Sequence, residues 1–190
     1  SIEMDPVACE TLKLRKLFRL LKQKDKNIFY NLFQKDKKLT WEKVKHVFQD
    51  YGESVENSVW NHELGSRNLS QEQTIIEIKR RLKKLGHLKK NPLIIIGGPP
   101  CQAYSTVGKR LLTDPRGMLF QQYFRILKDF KPKFFVYENV VGLISMKDDL
   151  HSHIISLFKS LGYIVESQIL NAIEYGVPQT RRRVIITGSL

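Results

Sequence analysis

The sequence predicts an α/β fold whose first half is mainly helical. Three observations carry this expectation. Leu93-Ile94-Ile95-Ile96 and Phe134-Phe135-Val136-Tyr137 are short apolar runs with the length and residue types of fully buried strands. Segments of helical apolar spacing follow each run. Before residue 90 the apolar spacing is helical almost throughout. Strands alternating with helices imply layers packed on a largely parallel sheet.

The elements follow in order. Residues 8–22 place Leu14, Leu17, Phe18 and Leu21 at helical spacing between Lys and Arg. Residues 27–34 and 40–49 continue this around Phe29, Leu32, Phe33, Trp41, Val44 and Phe48, and core packing explains these aromatics best. The polar stretch Asp50–Ser58 reads as a flexible linker. Ser70-x-x-Gln73 is a capping box ahead of Ile75, Ile76, Ile78 and Leu82, and Gly86 ends that helix. The strand at 93–96 stops at Gly97-Gly98-Pro99-Pro100. A helix over 117–130 is broken by Lys131-Pro132, and the strand from Phe134 ends at Glu138-Asn139-Val140. Residues 150–161 form a helix closed by Gly162, and Tyr163–Ile169 and Val184–Thr187 read as two further strands.

Composition narrows the function classes. The 190 residues are 42% apolar, enough to fill a core. No apolar run approaches the ~20 residues of a membrane span, and Ser1-Ile2-Glu3-Met4-Asp5 is acidic where a secretory signal is basic and then apolar. No membrane partner is expected. Cys9 and Cys101 make neither a disulfide framework nor a zinc site, so no metal is expected and each cysteine is a buried apolar residue or a nucleophile. With 32 basic against 19 acidic residues, the net charge of +13 suits a polyanionic partner.

Reactive groups cluster where an open α/β sheet binds ligands, outside the carboxyl ends of its strands. One strand end carries Pro99-Pro100-Cys101-Gln102 and another carries Glu138-Asn139-Val140. A thiol and a carboxyl at neighbouring strand ends are a nucleophile and a general acid. A structural cysteine and a surface or capping glutamate are the plainer alternatives. Gln179-Thr180-Arg181-Arg182-Arg183 enters the last strand behind a Gly- and Pro-punctuated turn. Its guanidinium forks suit phosphates and carbonyl oxygens, though an arginine triplet is also a common solvated edge.

These residues resemble the cytosine-5 DNA methyltransferases. The matching motifs are Pro100-Cys101-Gln102, Glu138-Asn139-Val140 and Gln179-x-Arg181-x-Arg183, in family order. Asp114-x-Arg116-Gly117-x-Leu119 resembles the motif between the first two, and Glu3-Met4-Asp5-x-x-Ala8-x-x-Thr11 resembles the acidic motif that holds the cofactor ribose. The resemblance implies a Rossmann-like methyltransferase fold dependent on S-adenosylmethionine (SAM). Residues 13–90 are then a mainly helical insertion and 91–190 the catalytic core of a partial catalytic domain. The implied nucleophile is Cys101, adding to C6 of a flipped-out cytosine. Glu138 would contact N3 and the 4-amino group from an environment expected to raise its pKa, Arg183 the base O2, and Arg181 would brace the site. Glu3, Met4, Pro100 and Leu119 would line the SAM pocket. Gln102, Ser105, Lys109 and Gln179 would touch DNA.

Two family features have no counterpart here: the Gly-rich first motif expected upstream of Glu3, and the target-recognition region expected beyond Leu190. The expectation is a fragment or a split subunit. The acidic residue that meets adenine is not identifiable, with Asp50 one candidate. The implied function is DNA cytosine-5 methylation in bacterial restriction-modification or phage defence, in the cytoplasm at the nucleoid. Double-stranded DNA is the expected partner, with a second subunit or self-association through an exposed sheet edge. Methylation of tRNA and an inactive nucleic-acid-binding fragment are the alternatives.

Overall fold

Asp5 starts the first helix ahead of the apolar stripe that defines it. In the computed structural model, which describes residues 1–66, 68–87, 93–99, 119–145 and 149–190, α1 spans Pro6–Leu20. The Asp5 carboxylate accepts from the backbone N–H groups of Val7 and Ala8 at 2.7 and 3.0 Å, and Pro6 sits where a missing N–H costs nothing. The chain forms two compact units, Ser1–Lys89 and Lys90–Leu190.

In the first unit, β1 (Ile2–Glu3) pairs in parallel with β2 (Trp60–Asn61). Between them come α1, α2 (Gln23–Lys35), α3 (Trp41–Val44), a 3₁₀ turn (Gln49–Tyr51) and α4 (Gly52–Ser58), and α5 (Gln71–Lys84) follows. Leu17, Leu21, Phe29, Trp41, Val44 and Phe48 make the core, as the apolar spacing expected, and Val55 joins them. The stretch expected to be a linker does not behave as one. Val55 is completely buried in that core, and the Tyr51 hydroxyl donates to Asp25 at 2.7 Å. A single apolar residue among polar ones is a weak periodic signal, but it is enough to dock two turns of helix.

The capping box at α5 forms as read. The Gln73 N–H donates to Ser70 Oγ at 3.1 Å, and the Ser70 N–H donates to Gln73 Oε1 at 2.8 Å. Gly86 closes the segment at φ +79°, where a side chain would be strained. Glu77 accepts from Arg80 at 2.6 Å and from Arg81 at 2.7 Å. Arg81 in turn donates to the Glu56 carbonyl at 2.8 Å and lies over the Trp60 ring, tying α5 to α4 and β2.

The second unit is a four-stranded sheet in the order β3-β4-β6-β5, from β3 (Ile94–Gly97), β4 (Phe134–Val140), β5 (Ile164–Asn171) and β6 (Arg182–Ser189). Helices α6 (Leu119–Phe130) and α7 (Leu150–Ser160) supply the apolar residues packed on it. The sheet is mixed rather than largely parallel. β3 and β4 are parallel, while β6 runs antiparallel to both β4 and β5. The reason is connectivity: the chain returns from β5 to β6 through only a 3₁₀ turn (Ala172–Tyr175) and a short loop, too little for a parallel crossover.

One face of this sheet is packed. Phe135, Tyr137, Val184 and Ile186 are buried against Tyr123, Leu127, Ile154 and Phe158. A Cβ on Gly188 would collide with the Phe135 ring, so glycine there lets the aromatic lie flat on the sheet. Tyr123 places its hydroxyl between the carbonyls of Ile95 and Val136, at 3.1 and 2.9 Å, and its ring against Gly97. Burial pushes the Tyr123 phenol up. The run expected to be a fully buried strand is instead an edge strand among the described residues, with Ile96 72% exposed.

Two arginines, Arg80 first, hold the Glu77 carboxyl down to about 2 from its ordinary 4.5. A carboxylate with a depressed pKa stabilises the fold above its unfolded pKa and loses that contribution as pH falls toward 2. Glu77→Gln should therefore lower the thermal midpoint at pH 7 and flatten its decline between pH 5 and 2. Parallel midpoint-against-pH curves for the two proteins would refute the role given to this ion pair.

Candidate active site

The second-unit site is built by strand alternation. Successive side chains on a strand point to opposite faces, so Phe135, Tyr137 and Asn139 turn inward while Glu138 turns to the other face. The register pairs Glu138 with Ile185 and Val140 with Arg183. Arg183 is thus the diagonal neighbour of Glu138 on the same face, a separation long side chains span. Arg183 Nε lies 3.0 Å from Glu138 Oε1, and Arg181 Nη2 lies 4.0 Å from the same oxygen. The two-residue spacing of these arginines is what brings both to one carboxylate.

The cluster is open on one side, the Glu138 side chain being 38% exposed. An ion pair so exposed contributes only about 0–1 kcal/mol to stability, so its arrangement serves recognition better than folding. A planar amidine-like edge meets complementary groups here: a carboxyl for its N–H groups and a guanidinium for its carbonyl oxygen.

Two residues without assigned roles in the sequence shape this corner. A Cβ on Gly98 would stand 2.9 Å from Glu138 Oε2 and 3.4 Å from the Glu138 carbonyl oxygen, so only glycine leaves the carboxylate its place. Asn139, 2% exposed, donates from Nδ2 to the Pro99 carbonyl at 3.3 Å and lies 3.2 Å from the Tyr137 hydroxyl. It ties the residues after β3 to β4. A Gly-Gly pair at a strand end and an amide beside the glutamate were the signals that could have found them.

Of the other expected site residues, Leu119 is the first residue of α6 and half-buried. Gln179 is exposed in the loop ahead of β6, a loop closed by the Ala172 N–H donating to the Arg181 carbonyl at 3.0 Å. Cys101, Pro100, Gln102, Ser105 and Lys109, with the Asp114–Leu119 motif up to residue 118, lie outside the described residues.

In the first unit, Glu3 ends β1 and Met4 is exposed directly after it. Glu3 Oε1 accepts the Asp5 N–H at 2.9 Å. Asn61 Nδ2 donates to the carbonyls of Glu3 and Met4, at 3.1 and 2.9 Å, and fixes this turn. A carboxylate with a second oxygen to offer, beside an exposed thioether side chain, fits the diol and aromatic base of an adenosine. The residues present therefore suit the cofactor implied by the motifs. Trp60 and His62 stack at 4.1 Å beside this turn, where burial pushes the His62 imidazole down. Asp50 lies instead in the 3₁₀ turn before α4. Cys9 is structural: it is 2% exposed, its Sγ donates to the Glu3 carbonyl at 3.3 Å, and burial pushes its thiol up.

This fold belongs to a known class. A family model described as C-5 cytosine-specific DNA methylase matches residues 54–190, and the chain belongs to that family. The type II methyltransferase M.FnuDI of Fusobacterium nucleatum is 51% identical over 96 residues, covering 50% of this chain and 28% of that protein. The type II methyltransferase M.Bpa9945I of Bacillus paralicheniformis is 35% identical over 212 residues, 98% of this chain and 47% of the relative. A solved E. coli structure, described as a prophage-encoded DNA modification methyltransferase, superposes with a TM-score of 0.51 at 27% identity, over 69% of this chain and 33% of that one. The chain thus spans between about a quarter and a half of the curated relatives quoted. The mixed α/β arrangement is that of the methyltransferase fold.

Gly98→Ala should displace the Glu138 carboxylate while leaving the fold intact. A structure of the variant is expected to show the Glu138–Arg183 separation opened beyond the 3.0 Å of the parent. An unmoved carboxylate would show that the glycine serves the loop alone.

Proposed function

We propose that this chain carries the catalytic corner of an enzyme that methylates cytosine C5 in double-stranded DNA, in bacterial restriction-modification. The observation that supports this most is the convergence of Glu138, Arg183 and Arg181 at the end of β4, beside the Gly98-Pro99 segment that leads to Cys101. Bound SAM supplies an electrophilic methyl group. Cytosine C5 is too poor a nucleophile to take it unaided. The Cys101 thiolate adds to C6 and turns the ring into an enamine, which makes C5 nucleophilic. Glu138 holds N3 and the 4-amino group and offsets the electron shift, Arg183 holds O2, and Arg181 braces Glu138. After transfer a base takes the C5 proton, and the thiolate leaves as the C5–C6 double bond re-forms.

The remaining assignments follow from this reading. Glu3 and Met4 hold the adenosine of SAM, and the resemblance assigns Pro100 and Leu119 to the same cofactor. Gln102, Ser105, Lys109 and Gln179 contact the DNA from which the cytosine is flipped, since its reacting atoms are unreachable in a stacked duplex. The helices within 13–90 are an insertion into the catalytic fold, and 91–190 form its core. Among the described residues no helix is long and apolar enough to cross a membrane, and the relatives quoted are bacterial.

A duplex carrying 5-fluorocytosine tests the proposal, because fluorine cannot leave as a proton does. Incubated with the chain and SAM, it should give a denaturant-resistant adduct at Cys101. Cys101→Ser should form none. Glu138→Gln should form it about 10²- to 10⁴-fold more slowly, the usual span of a general acid contribution. A chain that binds both SAM and the duplex yet stays unmodified would overturn the assignment, as would an adduct that survives Cys101→Ser.

A further inference from the structure

The first unit concentrates positive charge in a way the catalytic reading does not use. Residues 13–45 hold twelve basic and three acidic residues, a net +9 within a chain of net +13. All three acids are engaged: Asp25 accepts from the Tyr51 hydroxyl, Asp36 pairs with Lys43, and Glu42 pairs with Lys45. Among the described residues, only Lys13, Lys43 and Lys45 of the twelve bases meet a carboxylate. Of the other nine, Arg15, Arg19, Lys22, Lys24, Lys35, Lys37 and Lys38 are exposed and Lys16 and Lys26 half-buried.

These bases share a face with aromatics. On α1, Arg15 and Arg19 are exposed beside Phe18, one helical turn apart. The Phe18 ring meets Tyr30 of α2 edge-on at 5.5 Å, joining the two helices. On α2, Lys26, Tyr30 and Phe33 follow each other at spacings of four and three, a single helical face, and Lys37 stands in the turn just beyond the helix end. Tyr30 is 50% exposed and Phe33 43% exposed, in a unit whose other large aromatics are mostly packed inside. Lys26 lies over the Phe18 ring and Lys37 over the Phe33 ring, at 5.4 and 5.2 Å. On that same side of α2, Gln23, Asn27 and Gln34 are exposed, hydrogen-bonding and uncharged.

We infer that this face of α1 and α2 is a second, sequence-independent contact surface for duplex DNA, separate from the catalytic corner. Charge complementarity names the occupant. Phosphates replace the missing acids, the lysines and arginines release counterions, and the half-exposed rings pack on deoxyribose. An acidic protein partner would also find the charge. It would not use a row of amides between the bases as well as a regularly spaced polyphosphate does.

Fluorescence anisotropy with a labelled duplex of arbitrary sequence, from 50 to 300 mM NaCl, tests this on the chain as it stands. The triple variant Arg15→Ala, Arg19→Ala, Lys26→Ala should bind at least tenfold more weakly at the low-salt end. Its log K against log salt line should be shallower by about two to three, since each phosphate contact contributes about 0.9. Tyr30→Ala with Phe33→Ala should weaken binding and leave the slope unchanged. Lys128→Ala, Lys133→Ala, Lys159→Ala removes equal charge from the second unit and should change the slope much less. Equal losses in the two triple variants, or no loss in the first with its helix content intact by circular dichroism, would overturn the inference. So would binding to phosphatidylserine vesicles in place of DNA. The assay contains neither SAM nor fluorocytosine, so its failure leaves the covalent test of Cys101 untouched.

Discussion

The antiparallel register of β4 on β6 sets both the core and the charged corner of the second unit. Pairing Tyr137 with Ile186 puts two fully buried side chains under α6 and α7. The same register pairs Glu138 with Ile185, which leaves Arg183 on the diagonal and within reach of the carboxylate. A slip of one residue would turn Val184 and Ile186 outward and send Arg183 into the core. Exposing two apolar residues while burying a charged one makes that slip costly by several kcal/mol, on the order of 1.5–3 for each aliphatic side chain moved. Hydrophobic packing therefore fixes the geometry of a polar site that could not fix itself.

The corner is held from the other side by the end of β3. Tyr123 bridges carbonyls of β3 and β4 with one hydroxyl, while Asn139 reaches Pro99. Both are buried polar groups with partners, so removing either strands a carbonyl or an amide away from water. Gly97 and Gly98 complete the arrangement by what they lack: the first makes room for the Tyr123 ring and the second for the Glu138 carboxylate. Two adjacent glycines, the last of β3 and the one after it, thus make room on opposite faces of the sheet.

Much of this was legible in the sequence. The strands at 94–97 and 134–140, the capping box at Ser70 and the terminating Gly86 were readable because local signals agree with tertiary demand there. The grouping of Glu138 with Arg181 and Arg183 was readable from motif order, although spacing alone also fits a solvated basic edge. Three features were not. The helix at 52–58 depends on Val55 finding a core made by residues far along the chain. The antiparallel direction of β6 depends on loop length, which apolar patterning does not encode. The exposure of Ile94 and Ile96 depends on which strands stand beside them, and an apolar run reads the same at an edge as at a centre. The roles of Gly98 and Asn139 were hidden for a related reason: each acts on a neighbour across the sheet.

The place of β3 at the edge of the sheet, among the described residues, has a consequence for how the molecule behaves in bulk. Among the described residues, Leu93, Ile94, Ile96 and Phe134 leave an apolar strip at this edge, with no lysine or proline in Ile94–Gly97 to blunt it. What keeps two such strips apart is long-range repulsion between chains of net charge +13. That barrier has the range of the Debye length, about 30 Å at 0.01 M salt and about 8 Å at 0.15 M. Colloidal stability is then an ionic-strength phenomenon: turbidity should grow as salt is added, opposite to the salting-in of an ordinary charged globule.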